Sequence, residues 1–252
     1  MISLRFSNIS ARNPVGKLVR LPLALIPKQM VLPILQGPAK GLKWIVGSGV
    51  HGLWLGSYEA DKQELLTTLP LAGKTVLDIG ANVGFFSLLC SRLVGPSGRV
   101  IAFEPFPRNV DFIHRHITLN SVSNIEVRSV GIADKQGTAN FSTSQYHEQG
   151  SLSDDGDLEV TVTTLDALEP QRPEVGLLKI DVEGAESAVL EGGKRFFEVN
   201  RPVILLATHG KAQATACREI LERYNYSMKL LGEDLYGLDC NEWLATPKES
   251  SR

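Results

Sequence analysis

Residues 76–87 read VLDIGANVGFFS, and the folding of this stretch decides the rest of the chain. Thr75–Ile79 is a short, mainly apolar run stopped by Gly80, the pattern of a buried strand. Phe86, Leu89, Cys90 and Leu93 then recur at helical spacing. Between the two, Gly80 and Gly84 permit a tight turn and a close approach to the backbone. A helix starting there presents free N–H groups in its first turn. Strand, glycine turn and helix together open a nucleotide-binding unit.

The alternation continues outward. Arg99–Phe103 is a second strand, ending at Glu104, and Pro105 and Pro107 introduce a helix with Val110, Ile113 and Ile117 on one face. Residues 125–130 form a third strand candidate. Val175–Ile180 is another, followed by a helix from Ala185 that Gly192 and Gly193 interrupt, and then by a buried strand over 202–207. Cys217, Ile220, Leu221 and Tyr224 mark one more helix face, and 226–231 with 242–246 form a terminal hairpin. Strands separated by single helices predict an α/β, Rossmann-like, doubly wound and mainly parallel sheet. Ligands of such sheets bind beyond the strands' carboxyl ends, here after Ile79, Phe103, Val130, Ile180 and Ala207.

Two regions break the pattern. GTANFSTS and LEVTVTTL, within residues 136–165, read as a β-hairpin insertion, and the polar loop 145–157 between them as surface decoration. Residues 1–69 hold five of the thirteen prolines and read as an N-terminal arm over the main fold. Trp44 and Trp54 anchor the arm among glycines, and a helix follows over 59–69. The expected organisation is therefore an arm at 1–69, a nucleotide-binding domain at 70–248 and a disordered tail at 249–252. Arg5, Arg12, Lys17 and Arg20 precede an apolar stretch at 21–35, but Pro22, Pro27, Lys28 and Pro33 prevent a spanning helix there. No transmembrane segment is expected; weak contact with a membrane surface is compatible with the basic and apolar mixture.

Composition narrows the partners. The 252 residues are 43% hydrophobic and 21% charged, enough for one good core. The formal net charge of -2 gives no basic field for nucleic acid. Cys90, Cys217 and Cys240 lie far apart with no CxxC or zinc spacing, which suits buried thiols in a reducing, cytoplasmic setting.

Two ligand classes compete for the glycine turn. A dinucleotide asks for GxGxxG, yet Asn82 stands where the middle glycine would be. Asp78 would repel a pyrophosphate but attract the ammonium and sulfonium of S-adenosylmethionine. Glu104, twenty residues after Gly84, is placed to accept ribose hydroxyls. The expected cofactor-binding set is Asp78, Gly80, Asn82, Gly84, Glu104 and Asp181. An NAD-linked oxidoreductase and a non-catalytic nucleotide-binding protein are the alternatives.

In KIDVEGAE, Lys179, Asp181 and Glu183 share one strand face. On one reading Lys179 and Asp181 form an ion pair while Glu183 and Glu186 favour a helix start. On the other, Asp181 and Glu183 sit beside the transferred group and hold or deprotonate a hydroxyl. His209, just past the strand at 202–207, would face the substrate, so the candidate catalytic residues are Asp181, Glu183 and His209. No histidine or asparagine completes an obvious metal set in sequence, and no metal is expected. His114 and His116 fall on different helix faces and form no metal pair.

VLDIGANVGFFS at 76–87, VIAFEP at 100–105, LLKIDVEGAE at 177–186 and RPVILL at 201–206, with HGLWLGSYE upstream at 51–59, together resemble the FkbM family of S-adenosylmethionine-dependent methyltransferases. The resemblance spans roughly residues 44–210. It implies the class I methyltransferase fold with a mainly parallel seven-stranded sheet. It also implies methyl transfer, usually to oxygen, on small molecules or sugars in natural-product and glycan pathways. By that resemblance Asp78, Gly80 and Gly84 line the methionine end, Glu104 takes the ribose, Asp181 faces methionine and acceptor, and residues 131–134 lie near adenine. Many members carry glutamate after the strand that here reads PVILLA; this chain has Ala207, Thr208 and His209, with His209 the nearest substitute. No NPPY-like motif follows the fourth parallel strand, which argues against methylation of base amines.

Overall fold

The computed structural model describes residue 23 and residues 25–143, 150–152, 156, 158–168, 174–232 and 240–249. The basic cluster Arg5 to Arg20 with its membrane-surface expectation, most of the 145–157 loop and tail residues 250–252 lie outside the described residues.

The chain enters through a small antiparallel hairpin, β1 (Val31–Pro33) and β2 (Lys43–Ile45), followed by α1 (His51–Leu55) and α2 (Ala60–Thr68). The alternating unit then begins: β3 (Thr75–Ile79), α3 (Phe85–Val94), β4 (Arg99–Phe103), α4 (Pro107–Asn120) and β5 (Ile125–Arg128). After β6 (Gly131–Ile132), β7 (Gly137–Thr143), β8 (Gly150–Leu152) and β9 (Leu158–Thr163) comes β10 (Val175–Ile180). The two glycines split the next helix as expected, into α5 (Glu186–Glu191) and α6 (Lys194–Val199). Last come β11 (Val203–His209), α7 (Lys211–Arg223), β12 (Tyr226–Gly232) and β13 (Cys240–Pro247).

The main sheet has seven strands in the order β12-β13-β11-β10-β3-β4-β5. β11, β10, β3, β4 and β5 pair in parallel, and β13 runs antiparallel between β11 and β12. The order reverses direction at β3 and β10, so their carboxyl ends flank the crevice where such sheets bind ligands.

Each face of the sheet has its own core. Leu77, Ile79, Ile101, Phe103, Leu178 and Leu206 pack with α5, α6 and α7 on one side. Val76, Val100, Leu177 and Leu205 point to the other, toward α3 and the N-terminal segment. There Ile34, Trp44, Leu53, Trp54 and Leu66 join the same cluster, so residues 34–66 are core material and not a detachable layer. This explains why α3 buries almost its whole circumference: the sheet covers one side and the N-terminal segment the other. Trp44, fully buried, stacks on His116 at 3.8 Å between ring centroids. The His116 ring accepts from the Ile45 N–H and, through Nδ1, donates to the Val83 carbonyl. Burial drives its pKa down to about 4, so the ring stays neutral and makes both bonds.

The insertion is larger than the expected hairpin. β7 and β9 pair antiparallel as predicted, but β6 adds in parallel to β9 and β8 adds to β7, giving a second, four-stranded sheet. β8 lies in the stretch that periodicity left as loop; three residues are too few to show alternation. Cys90, Cys217 and Cys240 are all free and buried. Among the described residues, no helix is long and apolar enough to cross a membrane.

Candidate active site

A cavity of about 380 Å³ opens at the carboxyl ends of β3, β4 and β10. Gly80, Asn82, Glu104 and Pro105 line it, as do Asp181, Val182 and Glu183. Gly131, Ile132 and Phe141 of the small sheet close one flank, and Val50, Leu53 and Tyr58 of the N-terminal segment contribute elsewhere. Which aromatic of these segments lines the pocket is not legible from sequence, because nothing local distinguishes a pocket aromatic from a core one.

The glycine turn is held by the chain itself. The N–H groups of Gly80 and Ala81 both donate to the Phe103 carbonyl, at 3.0 Å each. Asn82 N–H donates to Glu104 Oε2 at 2.8 Å, Val83 N–H to Asn82 Oδ1 at 2.7 Å and Gly84 N–H to the Ala81 carbonyl at 2.9 Å. From Gly80 to Gly84 no N–H is left for a phosphate, which disfavours a pyrophosphate ligand. The glycines are also needed for a different reason than ligand approach. Gly80 has φ +75°, and a Cβ there would lie 1.9 Å from the Asp181 carbonyl oxygen. At Gly84, φ +87°, a Cβ would press on Ile113 of α4 at 3.2 Å. Asn82 takes φ +49°, a conformation asparagine tolerates better than most residues.

Asp78 does not reach the cavity. It is fully buried behind the turn, where Oδ2 accepts from Ser87 Oγ at 2.6 Å and Oδ1 pairs with Lys179 Nζ at 3.2 Å. The register of β3 and β10 sets Lys179 directly beside Asp78. Direct contact of Asp78 with a cationic ligand is therefore corrected to a supporting role. Lys179 also approaches Asp181 Oδ2 at 3.7 Å. Burial alone would raise the Asp181 carboxyl; Lys179 and Lys62 outweigh it and hold the pKa low.

Glu104 does face the cavity. Its Oε2 takes the Asn82 N–H, and Oε1 takes the Phe106 N–H at 2.9 Å. Each oxygen keeps acceptor capacity for a ligand. Burial raises its pKa to about 7, against the backbone bonds that favour the charge.

The structure brings Asp181, Glu183 and His209 together, with one ligand atom from each within 4.8 Å of the others. His209 Nε2 lies 3.2 Å from Glu183 Oε2, and Nδ1 lies 2.8 Å from Oε1 of the buried Glu186. Burial works against charge on this ring, but hydrogen bonds to Cys240 and Glu186 and the Glu183 and Asp181 carboxylates prevail, raising its pKa to about 11. Burial, reinforced by Asp181, raises the Glu183 carboxyl as well. Gln213 of α7 holds the loop, donating to the Gly184 carbonyl at 2.6 Å and accepting from the Ser187 N–H at 3.0 Å. The sequence shows no completed metal-type set; the fold places His209, from the neighbouring strand, beside Asp181 and Glu183.

An acid also stands beside Ala207 after all. β11 and β13 align Ala207 with Glu242. Glu242 Oε1 meets Lys62 Nζ at 2.6 Å, and the same Lys62 meets Glu59 Oε2 at 2.7 Å. Burial raises the Glu242 pKa to about 7. No motif flagged Glu242, because β13 is far in sequence from the strand it completes.

The methyltransferase FkbM domain model matches residues 78–228, from Asp78 of β3 into β12. The chain belongs to the FkbM methyltransferase family. Membership sets aside the NAD-linked oxidoreductase alternative, in agreement with the saturated turn. Among curated relatives, Methyltransferase 1 of Beauveria bassiana (strain ARSEF 2860) is 23% identical over 202 residues, covering 69% of this chain and 81% of that protein. Methyltransferase sdnD of Sordaria araneosa is 29% identical over 168 residues, covering 52% of this chain and 64% of that protein. The crystal structure of methyltransferase FkbM from Methylobacillus flagellatus KT superposes with a TM-score of 0.52 at 17% identity. That match covers 77% of this chain but 53% of the other, so this FkbM chain spans about half the length of that structure. The likeness shows the class I methyltransferase fold.

Proposed function

We propose that this FkbM-family chain transfers a methyl group from S-adenosylmethionine to a hydroxyl oxygen of a small-molecule or sugar acceptor. The observation that carries this reading is one cavity lined by both the Glu104 carboxylate and the Asp181 and Glu183 carboxylates. The residues present fit the cofactor. Glu104 has free acceptor capacity for a ribose diol, Pro105, Ile132 and Phe141 offer apolar surface for a purine, and Asp181 offers negative charge for the cationic end.

The cofactor would supply an electrophilic methyl on a sulfonium, so the chain's share is alignment, desolvation and proton handling. Leu53, Val50, Tyr58 and Phe86 line the cavity and exclude water. Asp181 and Glu183 hold the acceptor hydroxyl. Glu183, with its pKa raised toward neutrality, is the better matched of the two to take the proton. His209, hydrogen-bonded to Glu183 and Glu186, fixes the direction in which that carboxylate points.

The test is incubation with methyl-labelled cofactor and an extract of small molecules, followed by mass identification of the labelled product. A methyl ether in the product is the expected result. Tight cofactor binding without label in any acceptor would favour a non-catalytic protein instead. Asp181→Asn is expected to lower turnover about a hundredfold and to weaken S-adenosylmethionine, which carries the sulfonium charge, more than S-adenosylhomocysteine. Wild-type turnover in that variant would remove Asp181 from the chemistry.

Glu104 gives the reading a pH signature. The ionised carboxylate accepts both ribose hydroxyls, so S-adenosylhomocysteine should bind about tenfold tighter at pH 8 than at pH 6, given the pKa near 7. Without ligand the same raised value favours the fold below the ordinary carboxyl range, and that contribution is lost as pH rises from about 4.5 through about 7. Calorimetry on wild type and Glu104→Gln checks both assignments: the variant should bind more weakly and lose the pH dependence. A flat wild-type profile would contradict the ribose contact.

A further inference from the structure

We propose that Asp181, Glu183 and His209 form a binding site for one divalent first-row metal cation beside the acceptor end of the cavity. Three observations point there. The first is the ligand set itself: two carboxylates and an imidazole, from the end of β10, the loop after it and the end of β11, with their ligand atoms within 4.8 Å. The 3.2 Å between His209 Nε2 and Glu183 Oε2 is close to the separation of two adjacent ligands on one ion, about 3 Å for bonds of about 2.1 Å at right angles.

The second is how His209 is held. Glu186 is fully buried, and its Oε1 lies 2.8 Å from Nδ1. A carboxylate on one ring nitrogen of a histidine fixes the ring and aims the other nitrogen, the arrangement found behind metal-bound imidazoles. Through that oxygen Glu186 also accepts the Gly184 N–H at 2.8 Å, while Oε2 is buried without a hydrogen-bond partner among the described residues. The carboxylate is thus spent on orienting the ring and its loop.

The third is charge. Glu59, Asp78, Asp181, Glu183, Glu186 and Glu242 fall into three ion-paired groups, and the lysines among them are Lys62 and Lys179. Lys62 joins Glu59 to Glu242, and Lys179 joins Asp78 to Asp181. Among the described residues, Glu183 and Glu186 form their ion pairs with His209. Partly buried carboxylates in excess of cations are costly unless a positive charge joins them. Imidazole with carboxylates suits Mn²⁺, Fe²⁺ or Zn²⁺ better than Ca²⁺.

An ion there would take the acceptor's oxygen as a further ligand and make its hydroxyl more acidic, which favours acceptors offering oxygen donors. That consequence rests on the methyl-transfer reading; ion binding does not. The test is titration of the full, metal-stripped chain with Mn²⁺, read by the electron paramagnetic resonance signal of free Mn²⁺. Saturable uptake of one ion per chain is expected, weakened at least tenfold in His209→Gln and in the part-exposed Glu183→Gln. S-adenosylhomocysteine calorimetry on the same samples reports the Glu104 end and the integrity of the fold. No saturable uptake by wild type, or equal uptake by either correctly folded variant, would overturn the site. Uptake without S-adenosylhomocysteine binding would keep the ion site and sink the methyl-transfer reading instead.

Discussion

Gly80→Ala is expected to cost the fold about 2–5 kcal/mol and to abolish cofactor binding. Two effects add. The left-handed φ of +75° costs an alanine about 1–2 kcal/mol. The new Cβ would also sit 1.9 Å from the Asp181 carbonyl oxygen and 2.8 Å from its carbon. That neighbour is backbone and cannot rotate away. Asp181 N–H is bonded to the Ile79 carbonyl, so retreat would open β3 from β10 at the crevice. Forced overpacking of this kind costs about 1–3 kcal/mol. Gly41→Ala is the control, because Gly41 has φ +86° with nothing within 4 Å of its Cβ position. It should lose only the conformational part, about 1–2 kcal/mol. Urea unfolding of both variants decides the matter; equal losses would mean the contact with Asp181 is immaterial.

Asp78→Ala is the second large effect, about 3–5 kcal/mol of stability. Asp78 and Lys179 are both buried, and removing the acid leaves Lys179 with Asp181 at 3.7 Å as its remaining carboxylate. Ser87 Oγ would lose its acceptor as well. Replacing both partners, Asp78→Ala with Lys179→Met, should recover much of the loss, since no buried charge is then stranded. The pair of measurements separates two roles. A ligand contact would show as lost cofactor affinity at retained stability. A buried support shows as lost stability, with affinity falling only as far as the turn is disturbed.

The strands around the site were legible because buried parallel strands are short apolar runs ending in glycine or acid. TVLDI, RVIAF and VGLLKI stand out by composition alone, and the residues after them fall at the crevice. Glu104 was legible through its distance from the turn. Asp78 was misread because sequence shows that an acid is near a strand end, not which way it points. Its partner Lys179 is set by strand register, a property of two segments a hundred residues apart. The same limit hid the contact of His209, already a catalytic candidate, with Glu183, and Glu242 as the acid beside Ala207. Both come from strands adjacent in the sheet and remote in the chain. The N-terminal segment was read as a cover, since its prolines and glycines break periodicity. Its large side chains nonetheless share one core with the sheet.

The turn that uses up its own N–H groups has a bearing on ancestry. Gly80 answers to the Asp181 carbonyl, and the five amides answer to Phe103, Glu104, Asn82 and Ala81. A descendant that had lost all catalysis would still be selected to keep the glycines, because the fold fails without them. In such a lineage the glycine pattern is a fossil of architecture. Drift at Glu104, whose carboxylate keeps acceptor capacity for a guest, would be the earlier record of a lost trade.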